Sequence, residues 1–153
     1  LEMMTPSVDH EGIKTTIARL LEAYAEERGL TFNGFGSWTL KNQERQSALE
    51  PDECYSLTPG RPKSPDLAIE VIWTSGGIDK LDVYLGLGVR EVWLYEDGAI
   101  RVHVLHDSRS EPRERSAVLP ELDLALLARH IDPEHQTETV RRYRQALRDS
   151  ASR

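Results

Sequence analysis

The sequence predicts an α/β fold made of a leading helix, a hairpin, one β-α-β crossover and a terminal meander. Three stretches carry that reading. From about Asp9 to Arg28, Ile13, Ile17, Leu20, Leu21 and Tyr24 recur at helical spacing and form one apolar stripe. Asp66 to Trp73 reads DLAIEVIW, a near-continuous apolar run of the kind that a sheet buries on both faces. Strand, helix and strand then follow one another across Asp66 to Glu96, which is a crossover unit with parallel strands.

The other elements follow in chain order. Asp9 is expected to cap the first helix and Gly29 to end it. Ser37 to Lys41 alternates, with Trp38 and Leu40 on one face; Lys41 to Gln46 reads as a polar hairpin turn, and Ser47 to Leu57 as the returning strand. Thr58 to Pro65, TPGRPKSP, is a loop, because three prolines exclude a central strand. Thr74 to Gly77 turns the chain into a helix from about Ile78 to Leu87, with Ile78, Leu81 and Leu85 inward and Gly88 after its end. Glu91 to Glu96, EVWLYE, is the next strand, and Glu96-Asp97-Gly98 is a tight turn into an alternating strand over Ala99 to His106. Ser108 to Arg115 reads as a charged loop and Arg115 to Leu119 as a short edge strand. Leu122 to His130 and Pro133 to Ser150 read as helices, the second one charged.

Composition bounds the function. The 153 residues are expected to form one domain, with a core over about 9–131 and a C-terminal helix over 133–153. A chain of this size buries roughly 70% of its unfolded surface, enough for a real core. Hydrophobic residues at 39% and charged residues at 29% exclude disorder. No apolar run approaches the about 20 residues of a membrane span, so no membrane partner is expected. The polar start, with Pro6, Asp9 and Glu11, does not resemble a signal peptide, and a soluble cytoplasmic protein is the expectation. Cys54 is the single cysteine, which excludes an intramolecular disulfide and a cysteine-based zinc finger. A net charge of −7 and a pI of about 5.3 disfavour tight, non-specific nucleic-acid binding but leave a local basic face open.

Four residues could carry chemistry. Glu70 lies inside the apolar strand, where an ionised carboxylate must be paired, protonated or bound to metal. Asp52 shares a strand face with Cys54 by alternation, which aims it inward while Glu53 and Tyr55 face the other way. Lys80 falls in the first turn of its helix, where the helix dipole disfavours a cation. Asp66 opens the central strand four residues before Glu70, on the same face. Each has a plainer reading: a structural salt bridge for Glu70, a turn acid for Asp52, a solvated lysine screened by Asp79 or Asp82, and a cap after Pro65 for Asp66. Paired carboxylates beside a lysine suit Mg²⁺-assisted phosphate chemistry, in which acids and waters hold the ion and the lysine positions an attacking water. His103 and His106 are three apart on a strand and so point to opposite faces, which argues against paired zinc ligation. The glycines of Gly34-Phe35-Gly36 and Gly76-Gly77 match neither a Walker A loop nor a dinucleotide fingerprint.

EPDECY at Glu50 to Tyr55, PDLAIEV at Pro65 to Val71 and DKLDVYLGLGVREVWLYE at Asp79 to Glu96 resemble the Uma-two family of bacterial restriction-endonuclease-like proteins. The resemblance covers roughly His10 to Leu127. It implies a PD-(D/E)xK nuclease fold, a restriction-endonuclease-like mixed sheet flanked by helices. It also implies that Asp52 stands at the motif's first acid and Glu70 at its second. The general motif has a lysine two residues after the second acid, where this chain has Ile72; the Uma-two pattern has it on the following helix, where this chain has Lys80. Some nucleases of this fold add a glutamate from the first helix, and Glu27 borders the apolar stripe there.

The leading expectation is therefore a Mg²⁺-dependent endonuclease acting on DNA, with Mn²⁺ as a substitute ion. Asp52, Glu70 and Lys80 would be catalytic, and Asp52, Glu70 and Asp66 would hold the metal. A homodimer would let two sites face two strands. The alternative is a catalytically inactive nuclease-fold domain that binds or interacts, with the acids and lysine forming a structural network.

Overall fold

The crossover sits at the centre of the fold. The computed structural model describes residues 7–44, 46–73 and 77–152, with the backbone alone at 77–79. In chain order its elements are α1 (Val8–Arg28), β1 (Asn33–Gly34), β2 (Leu40–Asn42), β3 (Ser47–Leu49), β4 (Glu53–Ser56) and β5 (Leu67–Val71). They continue with α2 (Gly77–Tyr84), β6 (Glu91–Glu96), β7 (Ala99–Leu105), β8 (Ser110–Arg113), α3 (Leu124–Arg129) and α4 (Gln136–Ala151). The main sheet runs β1-β4-β5-β6-β7-β8, with β5 and β6 parallel and the other neighbours antiparallel. The mixed sheet flanked by helices is thus observed, and α2 is the crossover between its parallel strands.

Every residue of β5 is buried, as its composition requires. Alternation sends Leu67, Ile69 and Val71 to one face, where they join Ile17, Leu20, Leu21 and Tyr24 of α1 with Leu127, Tyr143 and Leu147. Ala68 faces the other way, with Cys54, Val92 and Leu94 against Leu81 and Tyr84 of α2 and Leu40 of the β2–β3 ribbon. Cys54 and Tyr55 therefore divide between the two faces as alternation predicts. Burial pushes the Cys54 thiol up to about 11, so it stays protonated and apolar.

Local signals set the element ends. Ser7, not Asp9, caps α1, its hydroxyl accepting from the His10 N–H at 3.0 Å. Asp9 lies inside the first turn, where its charge still suits the dipole. Gly29 takes φ +67°, which lets the Leu30 N–H close on the Ala25 carbonyl at 2.9 Å. Asp97 and Gly98, at φ 49° and 77°, make the tight turn that joins β6 to β7.

Other expectations need correction. The returning strand of the hairpin is two pieces, β3 and β4, because Pro51 interrupts it; β3 pairs only with β2, and β4 joins the main sheet. The short strand β1 pairs with β4 where none was expected. The last strand is Ser110–Arg113, inside the expected charged loop, where Pro112 is tolerated because β8 is an edge. Residues 115–119 form no strand. They fold over Glu91, which is fully buried and accepts from Trp93 Nε1 (2.7 Å), the Ser116 hydroxyl and the Ala117 N–H (2.6 Å). The turn expected at Thr74 to Gly77 and the Ile78 side chain lie outside the described residues. The last helix packs on α1: Tyr143 and Leu147 are buried, while Arg144 and Arg148 bridge to Glu26 and Glu27. Among the described residues no helix is long and apolar enough to cross a membrane.

Candidate active site

Glu70 anchors the candidate site. Alternation along β5 turns its side chain toward α2, where it is 1% exposed. Lys80 and Tyr84 stand one turn apart on α2 and so share a face. Tyr84 Oη donates to Glu70 Oε1 at 2.6 Å, and Lys80 Nζ donates to Oε2 at 3.1 Å. Burial pushes the Glu70 carboxyl above its ordinary range; the Tyr84 bond opposes this, the charge of Asp52 adds to it, and Lys80 opposes it. Burial, and after it the charge of Glu70, push the Tyr84 hydroxyl far up, so it remains a donor. Lys80 is itself 47% exposed at the side chain, which leaves its ammonium open to solvent beside a buried acid.

Asp52 reaches the same place from β4. Glu53 pairs with Ile69, so one further step of that register sets Asp52 opposite Glu70. The ladder stops there, and Asp52 Oδ2 accepts the Val71 N–H at 2.8 Å in place of a strand carbonyl. His10, in the first turn of α1, brings Nε2 to 3.3 Å from the same oxygen. Its ring lies 6.2 Å from that of Trp73, tilted by 41°. Beside His10, Glu11 binds Lys14 at 3.0 Å, and that bond holds the Glu11 carboxyl below its ordinary range. Glu53 leaves on the other face, where burial raises its carboxyl, Lys14 opposes, and the charges of Asp52 and Glu11 add to the rise.

The structure brings Asp52, Glu70 and Lys80 together and leaves Asp66 apart. Four residues of strand separate Asp66 from Glu70, about 13 Å at a strand's rise. Asp66 is also occupied there: Oδ2 accepts the Leu57 N–H at 2.8 Å, and Oδ1 lies 3.4 Å from Arg90. It closes the loop over residues 58–65 and cannot share an ion with the other two acids. Glu27 is likewise distant, seventeen helical residues beyond His10, about 25 Å, and is committed to Arg144 and Arg148. Sequence reasoning missed His10, Tyr84 and Trp73. The i,i+4 spacing of Lys80 and Tyr84 could have revealed Tyr84; nothing periodic marks His10.

The donor set fits one hard cation. Asp52 and Glu70 are oxygen ligands of the type Mg²⁺ takes, one or two carboxylates with waters completing the shell. Asp52 Oδ1 accepts no hydrogen bond from the described residues. Among the described residues no group of three or more His, Cys, Asp or Glu side chains is placed to hold a metal ion.

Comparison with known proteins agrees with this architecture. The Uma2 family model, described as "Putative restriction endonuclease", matches residues 1–141. A solved structure from Anabaena variabilis ATCC 29413, titled as a "putative nuclease belonging to DUF820", superposes with a TM-score of 0.55. That match covers 94% of this chain and 86% of the other at 12% identity, a likeness of fold. Among curated proteins none matches.

Proposed function

The chain belongs to the Uma2 family, and from that membership and the site's geometry we propose that it is a Mg²⁺-dependent endonuclease hydrolysing DNA phosphodiester bonds. The observation that carries the reading is the buried Glu70, held between Tyr84 and Lys80 and set beside Asp52. Asp52 and Glu70 would hold the ion, which supplies a water acidified toward neutral pH and charge to offset the phosphoryl oxygens. Tyr84 fixes the orientation of Glu70 through its short hydrogen bond. The Val71 N–H and His10 fix Asp52. Lys80, half-exposed and already 3.1 Å from Glu70, positions the attacking water and meets the charge that develops in the transition state.

Nicking of supercoiled plasmid with Mg²⁺ or Mn²⁺ tests the proposal. The parent should nick, and Lys80→Ala should lose nicking by about 100-fold or more, the usual scale for one transition-state contact. Its melting should change little, because Glu70 keeps the Tyr84 hydrogen bond and burial already favours its protonated form once the Lys80 ammonium is gone. Equal nicking by both proteins would remove Lys80 from the mechanism. Absence of nicking in the parent, with no response of its melting to divalent ions, would favour the inactive nuclease-fold domain.

A further inference from the structure

Trp73 is 54% exposed, an unusual position for so large an apolar side chain. It follows Glu70 by three residues and Val71, whose N–H is held by Asp52, by two. Its indole meets the His10 ring at 6.2 Å, and His10 in turn approaches Asp52 at 3.3 Å. The indole therefore reaches the candidate site through His10, which itself approaches Asp52, and presents more than half of its surface to solvent. Resting on the nuclease reading above, we propose that Trp73 is a stacking platform for a base of the cleaved strand, and that the substrate is single-stranded or locally unpaired DNA.

A physical argument and the charge of the chain point that way. In an intact duplex each base face is covered by its neighbours, so an aromatic ring beside a scissile phosphate has no base to stack on; an unpaired strand offers one. The charge distribution agrees. Duplex binding draws on many Lys and Arg contacts to phosphate, but this chain carries a net charge of −7. Some of its basic side chains are also engaged: Lys14 with Glu11, Arg142 with Glu138, Arg144 with Glu26 and Glu27, Arg148 with Glu27. A site that gains its affinity from stacking needs fewer such contacts.

The test compares a single-stranded oligonucleotide with a duplex of the same sequence. Cleavage is followed with Mn²⁺, and binding by fluorescence anisotropy with Ca²⁺. The single strand should be bound and cut in preference, and its binding should quench tryptophan emission. Trp73→Ala should weaken single-strand binding by about 10-fold or more and abolish the quench. Trp73→Phe should retain most of the binding, and both variants should melt as the parent does. Equal or tighter binding and cleavage of the duplex overturns the proposal, as does unchanged single-strand binding by Trp73→Ala. If the parent neither binds nor cuts either form, the nuclease reading itself falls, and this inference with it.

Discussion

Glu70→Gln keeps the shape of the side chain and removes its charge, so it separates two roles for one residue. Burial already disfavours the Glu70 carboxylate, and Lys80 is open enough to be hydrated if its partner is lost. In EDTA the variant should therefore melt at the parent temperature or above it. A drop of about 3–5 kcal/mol, the cost of breaking a buried pair, would instead mark Glu70 as a structural anchor. A second residue carries a pH dependence. Both ring nitrogens of His103 are buried without a hydrogen-bond partner, on β7 opposite Val92 and Pro112. Burial, then the charge of Arg101, hold its imidazole below the ordinary value of 6.5. The unfolded chain takes up this proton first, so the parent loses stability as pH falls through about 6.5, until the folded residue also protonates. His103→Leu should gain on the parent between pH 8 and pH 5 in thermal melts; parallel profiles would show that His103 contributes no such slope. Asp52, Glu70 and Lys80 were legible as oddities of charge against an apolar or dipolar background. His10 and Trp73 were not, because what brings them to the site is tertiary packing and not a pattern along the chain.

At the scale of elements, β5, α1 and the crossover were legible because burial imposes a period or a run on their sequences. The expectation failed where an element is an edge. β8 contains Glu111, Pro112 and Arg113 and is paired on one side only, so neither alternation nor an apolar run announces it. Glu91 looked like the polar start of a strand, yet it is the brace that ties residues 116–117 to β6. Glu91→Ala would leave the buried donors of Trp93 and Ser116 facing a dry space, each unmet donor costing about 1–3 kcal/mol, and free the part-buried Ala117 N–H. Denaturant unfolding should show a loss of about 3 kcal/mol or more, and a loss under about 1 kcal/mol would deny the brace. The junction of α1 and α4 should respond unevenly. Leu147, 3% exposed, should cost about 2–5 kcal/mol on truncation to alanine. Removing the exposed guanidinium of Arg148 should cost about 1 kcal/mol or less. Equal losses would make the ion pairs, not the apolar contact, the seat of that junction.

For the whole molecule, the discriminating quantity is the effect of a divalent ion on global stability. An ion bound only by the folded protein, at about 100 times its dissociation constant, stabilises by roughly 2.7 kcal/mol. The parent should show that rise between EDTA and excess Mn²⁺, and Glu70→Gln should not. A parent indifferent to the ion would be a scaffold. The general plan of the molecule was readable because each long element declares a buried face; the joining of its two ends was not, because no pattern in α1 names α4 as its cover.

That joining has a consequence in time. Arg144 and Glu27, which meet across it, are 117 residues apart in the chain. At about 5–20 residues per second, a ribosome releases Glu27 roughly 6–23 s before its arginine partner exists. The pairing of β6 with β7 closes over a short turn and can form well within that interval. The face of α1 that meets α4 is thus covered late, and a nascent chain halted before α4 would carry Glu26 and Glu27 beside an apolar edge awaiting Tyr143 and Leu147.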